Sequence, residues 1–192
     1  PRVFDGLGPE PIASVDAPDP AVADDPDVQR ALASVIHVRA ESRSCDRAQV
    51  GSGWVLSPGR VATNAHVVAG ADRVRVSVGG AGRERTARVV AFDPRRDVAV
   101  LAVSGLDAPP LPTGAPLDSG DAAVVAGFPG DDGLWVGGAR VRDVLTAQGA
   151  EGARRRVLLD KHVKAVRADV DALARKAYWA GLPSSPEFVV CF

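Results

Sequence analysis

The residue types that could do chemistry in this chain gather around His66, in the run Gly51-Ser-Gly-Trp-Val-Leu-Ser-Pro-Gly-Arg-Val-Ala-Thr-Asn-Ala-His66-Val-Val-Ala-Gly70. Two short strands are expected there, 53–56 and 60–63, separated by a Ser57-Pro58-Gly59 turn whose proline and glycine set the backbone angles. His66 then falls where a strand gives way to a helical turn of small residues. A histidine used as a general base needs a carboxylate to hold its tautomer and stabilise the imidazolium. Asp97, at the mouth of the apolar run 97–103, is such an acid. Spacing alone does not join the two, and a pair of solvated polar residues at strand ends fits the same pattern.

Other candidates carry weaker settings. Asp118-Ser119-Gly120 reads as a turn serine before a strand. Ser52 lies on a strand between Gly51 and Gly53, which permit a bulge or close packing. Ser184 and Ser185 sit beside Pro183 and Pro186 and read as a loop. His37 alternates with Ile36 and Val38 and is expected to face solvent. Asp160 and His162, with the basic run Arg154-Arg155-Arg156, are expected in a polar loop. No His, Cys or carboxylate spacing suggests a metal site, and no cofactor motif is present.

The elements that must position His66 and Asp97 are mostly strands. Residues 1–27 carry six prolines and seven acidic groups against one arginine, an extended acidic linker. Asp25-Pro26 is a helix start, an N-cap with proline in the first turn, and a short helix to about residue 33 follows. Strands are expected over 34–40, 73–78 and 83–92, the last two joined through Gly79, Gly80 and Gly82. Asp93-Pro94 breaks the run, and 97–103 is expected to be buried on both faces or to close a barrel. Proline-rich 107–117 reads as a crossing between two halves, followed by strands over 122–128, 134–145 and 163–170. The fold class is all-β, two small barrels or a sandwich. The expected organisation is a linker over 1–27, a barrel over 28–113, a partial second barrel over 114–170 and a tail over 171–192.

A length of 192 residues allows one substantial core or two small ones. The net charge of -1 gives no reason to expect nucleic acid as a partner. No signal peptide is read, and no apolar run approaches the roughly 20 residues of a membrane helix. A chain that opens on Pro1 and has no methionine reads as a processed product or a fragment. Cys45 and Cys191 are either free thiols or a bridge that would contribute ~5 kcal/mol in an oxidising compartment.

Ala62-Thr-Asn-Ala-His66-Val-Val-Ala-Gly70 resembles the histidine motif of trypsin-like serine proteases, particularly the bacterial HtrA-like branch. Asp93-Pro-Arg-Arg-Asp97-Val-Ala-Val-Leu resembles the aspartate motif of that family, and Gly127-Phe-Pro-Gly130 a turn of its second barrel. The acidic leader, Cys45 ahead of Gly51-Ser-Gly53, Ala139-Arg-Val-Arg142 and Val166-Arg-Ala-Asp-Val170 resemble the membrane-anchored acid-resistance periplasmic proteases of actinobacteria. The resemblance covers about residues 3–170. It implies two β-barrels with a cleft site, protein or peptide substrates, and peptide-bond hydrolysis through an acyl-enzyme. It further implies His66 as base and Asp97 as its orienting acid, a Cys45–Cys191 disulfide, upstream transmembrane helices and a periplasmic or envelope location.

The family's nucleophile is a serine in a Gly-Asp/Asn-Ser-Gly-Gly loop, which also forms the oxyanion hole. Here Val170 is followed by Asp-Ala-Leu-Ala-Arg175-Lys-Ala-Tyr-Trp-Ala-Gly181, with Arg175 about where the serine belongs. The chain is therefore expected to be a truncated or frame-disrupted copy, inactive as it stands. The alternative is a protease-like module that binds peptides or a partner protein without chemistry. Of the tail, 187–191 is the one stretch expected to supply a strand, and 172–180 has a helical pattern suited to covering an unclosed sheet edge.

Overall fold

Strict alternation of apolar and polar residues makes Arg73–Val78 a strand with one face turned inward, and the same rule builds the first half of the molecule. The computed structural model describes residues 14–42, 47–112, 114, 117–149, 152–161 and 187–190. Six strands, β1 (Val35–Ser42), β2 (Arg47–Ser57), β3 (Arg60–Thr63), β4 (Arg73–Val78), β5 (Arg85–Asp93) and β6 (Val98–Val103), close a barrel in the order β1-β2-β3-β6-β5-β4. Every neighbouring pair is antiparallel. Ile36, Val38, Val55, Val61, Val76 and Leu101 fill its interior. Of the two readings open for the apolar run after Asp97, the structure selects barrel closure: β6 lies between β3 and β5 and turns Ala99, Leu101 and Val103 inward. The turn into β3 places Gly59 at φ +68°, the left-handed region that a glycine enters without a Cβ clash.

A second sheet contains β7 (Ala122–Gly127), β8 (Trp135–Gly149), β9 (Gly152–Lys161) and β10 (Glu187–Val190), in the order β10-β7-β8-β9. Its meander β7-β8-β9 repeats the pairing of β1-β2-β3, but among the described residues it does not close. Residues 187–190 do supply a strand, running parallel to β7. One expectation is corrected here. The basic run 154–156 and Asp160 lie in β9 rather than in a polar loop, because the register Gly149↔Gly152 folds 152–161 back along β8. A basic run does not by itself exclude a strand, and among the described residues β9 is paired on one side only, with β8. The expected strand 163–170 and the helical pattern 172–180 lie outside the described residues.

The two sheets share a core. Helix α1 (Pro26–Leu32), capped by the Asp25 carboxylate accepting from the Asp27 amide, buries Val28 and Ala31 with Val35 of β1 against Val124, Ala126 and Phe128. Just before it, part of the segment read as an extended linker is structured. Pro20–Asp24 forms a 3-10 helix, and Asp19 O approaches Gly138 of β8 so closely that a Cβ there would lie 2.4 Å away. The crossing after β6 is tied down as well: Leu111 N donates to Val55 O at 2.8 Å and Ser34 Oγ to Pro109 O at 2.8 Å. Because Leu101 is fully buried inside the closed barrel, Leu101→Ala is expected to cost ~2–5 kcal/mol in urea unfolding.

Candidate active site

β3 delivers the chain to one helical turn, α2 (Ala65–Val68), of which Ala65, Val67 and Val68 are buried. His66 is the remaining residue of that turn, and its side chain is 40% exposed. The turn is seated against β2. A Cβ on Gly51 would come within 2.6 Å of Val67 Cγ2, so a side chain there would displace α2. The Gln49 side-chain amide, its nitrogen turned toward α2, donates to His66 O at 2.9 Å and Val67 O at 3.1 Å.

Asp97 arrives on the neighbouring strand, at the end of the turn between β5 and β6, just before the residues of β6 that pair with β3. The Asp93 carboxylate shapes that turn, accepting from the Arg95 and Arg96 amides at 3.1 Å each and from the Arg96 guanidinium at 2.8 Å. Those donors, the Arg96 amide foremost, hold the Asp93 carboxyl below the usual carboxylate range. Asp97 itself sits at φ +56°, the sole non-glycine at positive φ among the described residues. That left-handed conformation costs about 1–2 kcal/mol for an L-residue, less for aspartate than for most.

The contacts around Asp97 offset this strain. The His66 amide donates to Asp97 Oδ1 at 2.9 Å, and His66 Nδ1 lies 2.9 Å from Oδ1 and 2.7 Å from Oδ2. Asn64 Nδ2 donates to Asp97 O at 2.9 Å and to Oδ2 at 3.1 Å. A carboxylate beside Nδ1 selects the tautomer with the proton on Nδ1. Nε2 is then an acceptor, which is what a general base requires.

The other candidates are placed elsewhere. Ser52 is buried, and its Oγ accepts from the Phe128 amide at 2.8 Å while its carbonyl accepts from Thr63 Oγ1 at 2.8 Å. Ser119 Oγ donates to Arg142 O at 2.7 Å in the turn before β7. His37 is not solvent-facing as expected. It is half-buried, with its ring 4.8 Å from that of Phe128 at 60°. Alternation identified the outer face of β1, but the second sheet covers that face. Asp160 stands opposite Arg140 in the β8–β9 register. Cys45, His162, Arg175, Ser184, Ser185 and Cys191 lie outside the described residues. Sequence reasoning gave Asn64 no role of its own and Asp93 only that of ending a strand, although both lie inside the quoted motifs, two and four residues before His66 and Asp97 respectively.

A closed antiparallel barrel carrying histidine and aspartate at its rim, packed on a second sheet, defines the two-barrel serine peptidase class. The pattern of the trypsin-like peptidase domain matches residues 51–172, and the chain belongs to that family. It is 38% identical over 172 residues to serine protease Rv3671c of Mycobacterium tuberculosis, covering 89% of this chain and 43% of that protein. A probable periplasmic DegP-like serine endoprotease of Halomonas elongata is 44% identical over 98 residues, 50% of this chain and 18% of that protein. The chain thus spans less than half the length of these curated relatives. The crystal structure of the Rv3671c protease in its active form superposes with a TM-score of 0.77 at 32% identity, over 98% of this chain and 88% of that one.

Ser52 ties the two halves together through the buried Phe128 amide. Ser52→Ala removes the acceptor and leaves that N–H unpaired, so it is expected to lower stability by about 1–3 kcal/mol. Ser52→Ala is not expected to alter the His66–Asp97 contact, which a histidine-resolved NMR spectrum of the variant checks.

Proposed function

We propose that His66 and Asp97 are the general base and the orienting carboxylate of a serine endopeptidase site. The observation that carries this reading is the 2.7 Å approach of His66 Nδ1 to Asp97 Oδ2, reinforced by the His66 amide on the same carboxylate. Given a serine hydroxyl at Nε2, the imidazole takes its proton as the oxygen attacks a peptide carbonyl carbon. The imidazolium then returns the proton to the leaving amine, while Asp97 stays ionised. Side chains and water carry this chemistry, and the substrates are proteins or peptides. The functional half is the unit 28–113, with 114–170 as a partial second unit. The DegP-like relative named as periplasmic supports a periplasmic or envelope location, with membrane anchoring of the longer protein and a Cys45–Cys191 bridge as further parts of the proposal.

For this chain we propose that the nucleophile is not supplied. What supports this is that the sequence contains no Gly-Asp/Asn-Ser-Gly-Gly loop and departs from the family motif after Val170, as a disrupted reading frame would make it do. Ser52 is buried, its Oγ accepting from the Phe128 amide, and Ser119 Oγ donates to Arg142 O. Loss of the serine from such a triad can cost about 10⁶ in turnover, which leaves His66 and Asp97 near background. A second reading, resting on the same missing loop, is a module that binds peptides or a partner protein without cleaving them. A fluorophosphonate probe is expected to leave the chain unlabelled. Stoichiometric labelling, abolished by replacing one serine, would sink the proposal of a missing nucleophile.

A further inference from the structure

Asn64 occupies the N-cap position of α2, where an asparagine side chain ordinarily accepts a hydrogen bond from an amide of the first helical turn. It makes no such bond. Its side chain is buried, its residue only 8% exposed, and its Oδ1 has no hydrogen-bond partner. The residue therefore forgoes the stabilising use of its position and leaves an acceptor unsatisfied, an arrangement that stability alone does not favour. What it gains is the pair of donations from one amide nitrogen to Asp97: one to the main-chain oxygen at 2.9 Å, the other to carboxylate Oδ2 at 3.1 Å.

These two bonds act on different freedoms of Asp97. The bond to the main-chain oxygen holds the peptide unit that follows the left-handed φ of +56°. The bond to Oδ2 limits rotation of the carboxylate about its own axis. Together they present the carboxylate to His66 Nδ1 in one orientation. The His66 amide restrains Oδ1 but leaves the backbone of Asp97 untouched. We infer that Asn64 is a positioning residue, which sets the orientation of Asp97 toward the His66 ring by clamping both its carbonyl and its carboxylate. This rests on the reading of His66 and Asp97 as the base and its orienting acid, and it adds a third residue that touches neither substrate nor reacting atoms.

The test is proton NMR of the full chain, following the strongly deshielded imidazole proton on Nδ1 of His66, assigned by its loss in His66→Ala. In the unmodified chain this proton is expected to be visible and slow to exchange with water. In Asn64→Ala its exchange is expected to accelerate about tenfold, the size of one lost hydrogen bond, with the amide spectrum of the barrel preserved. Should Asn64→Ala not fold, Asn64→Asp keeps the shape and replaces the donor with an acceptor facing Asp97, and the signal is expected to weaken further. A signal that exchanges in either folded variant as it does in the unmodified chain overturns the role of Asn64. Its absence from the unmodified chain contradicts the His66–Asp97 reading beneath it, so the two failures are told apart.

Discussion

The carboxylate of Asp97 collects the His66 amide, the His66 ring and the Asn64 side chain at one point on the barrel rim. Two connections distant in sequence meet there: the β3–α2 junction, and the turn that joins β5 to β6. They can meet only because β6 pairs with β3 on one side and β5 on the other, with Thr63 opposite Ala99. Barrel closure is thus the condition for the contact. The apolar interior that drives closure is built from valines, Ile36, alanines and Leu101, with no aromatic side chain among its buried members. A local conformation unfavourable to an L-residue, Asp97 at φ +56°, is retained because the surrounding donors offset it.

The second sheet is joined to this barrel through several contacts of different kinds. α1 contributes apolar burial, Ser52 a buried hydrogen bond to Phe128, and the turn after β7 an aromatic contact with His37. Ser52 also lies next to Gly51, on which α2 packs, and its carbonyl holds Thr63. The residues around the base are therefore continuous with the junction between sheets. The barrel side of the site is complete within the first half, whereas among the described residues the second sheet does not close.

Much of the first half was legible in the sequence because its signals are local. Asp25-Pro26 begins a helix, Ser57-Pro58-Gly59 turns a hairpin, and Arg73–Val78 alternates without a break. The candidate pair His66 and Asp97 was legible only through its motifs, since spacing does not report that two strand ends meet. Three features were not legible for a common reason: each depends on what lies opposite. His37 has a polar strand pattern yet is covered by Phe128. β9 has a basic sequence yet pairs along β8. Asp19 and its neighbours are acidic and rich in proline, yet they rest on Gly138. The clamp from Asn64 belongs with them, because an asparagine before a helical turn ordinarily reads as a cap.

Amide hydrogen exchange at His66 addresses the central claim most directly, because its N–H points at Asp97 Oδ1 and His66 is the one half-exposed residue of its turn. The account predicts slow exchange there in the unmodified chain. It also predicts an acceleration of at least about tenfold in Asp97→Ala while the amides of β3 and β6 stay protected, as expected for the loss of a bond to a charged acceptor. Exchange at His66 that is fast from the outset, or unchanged when Asp97 is replaced, would contradict it.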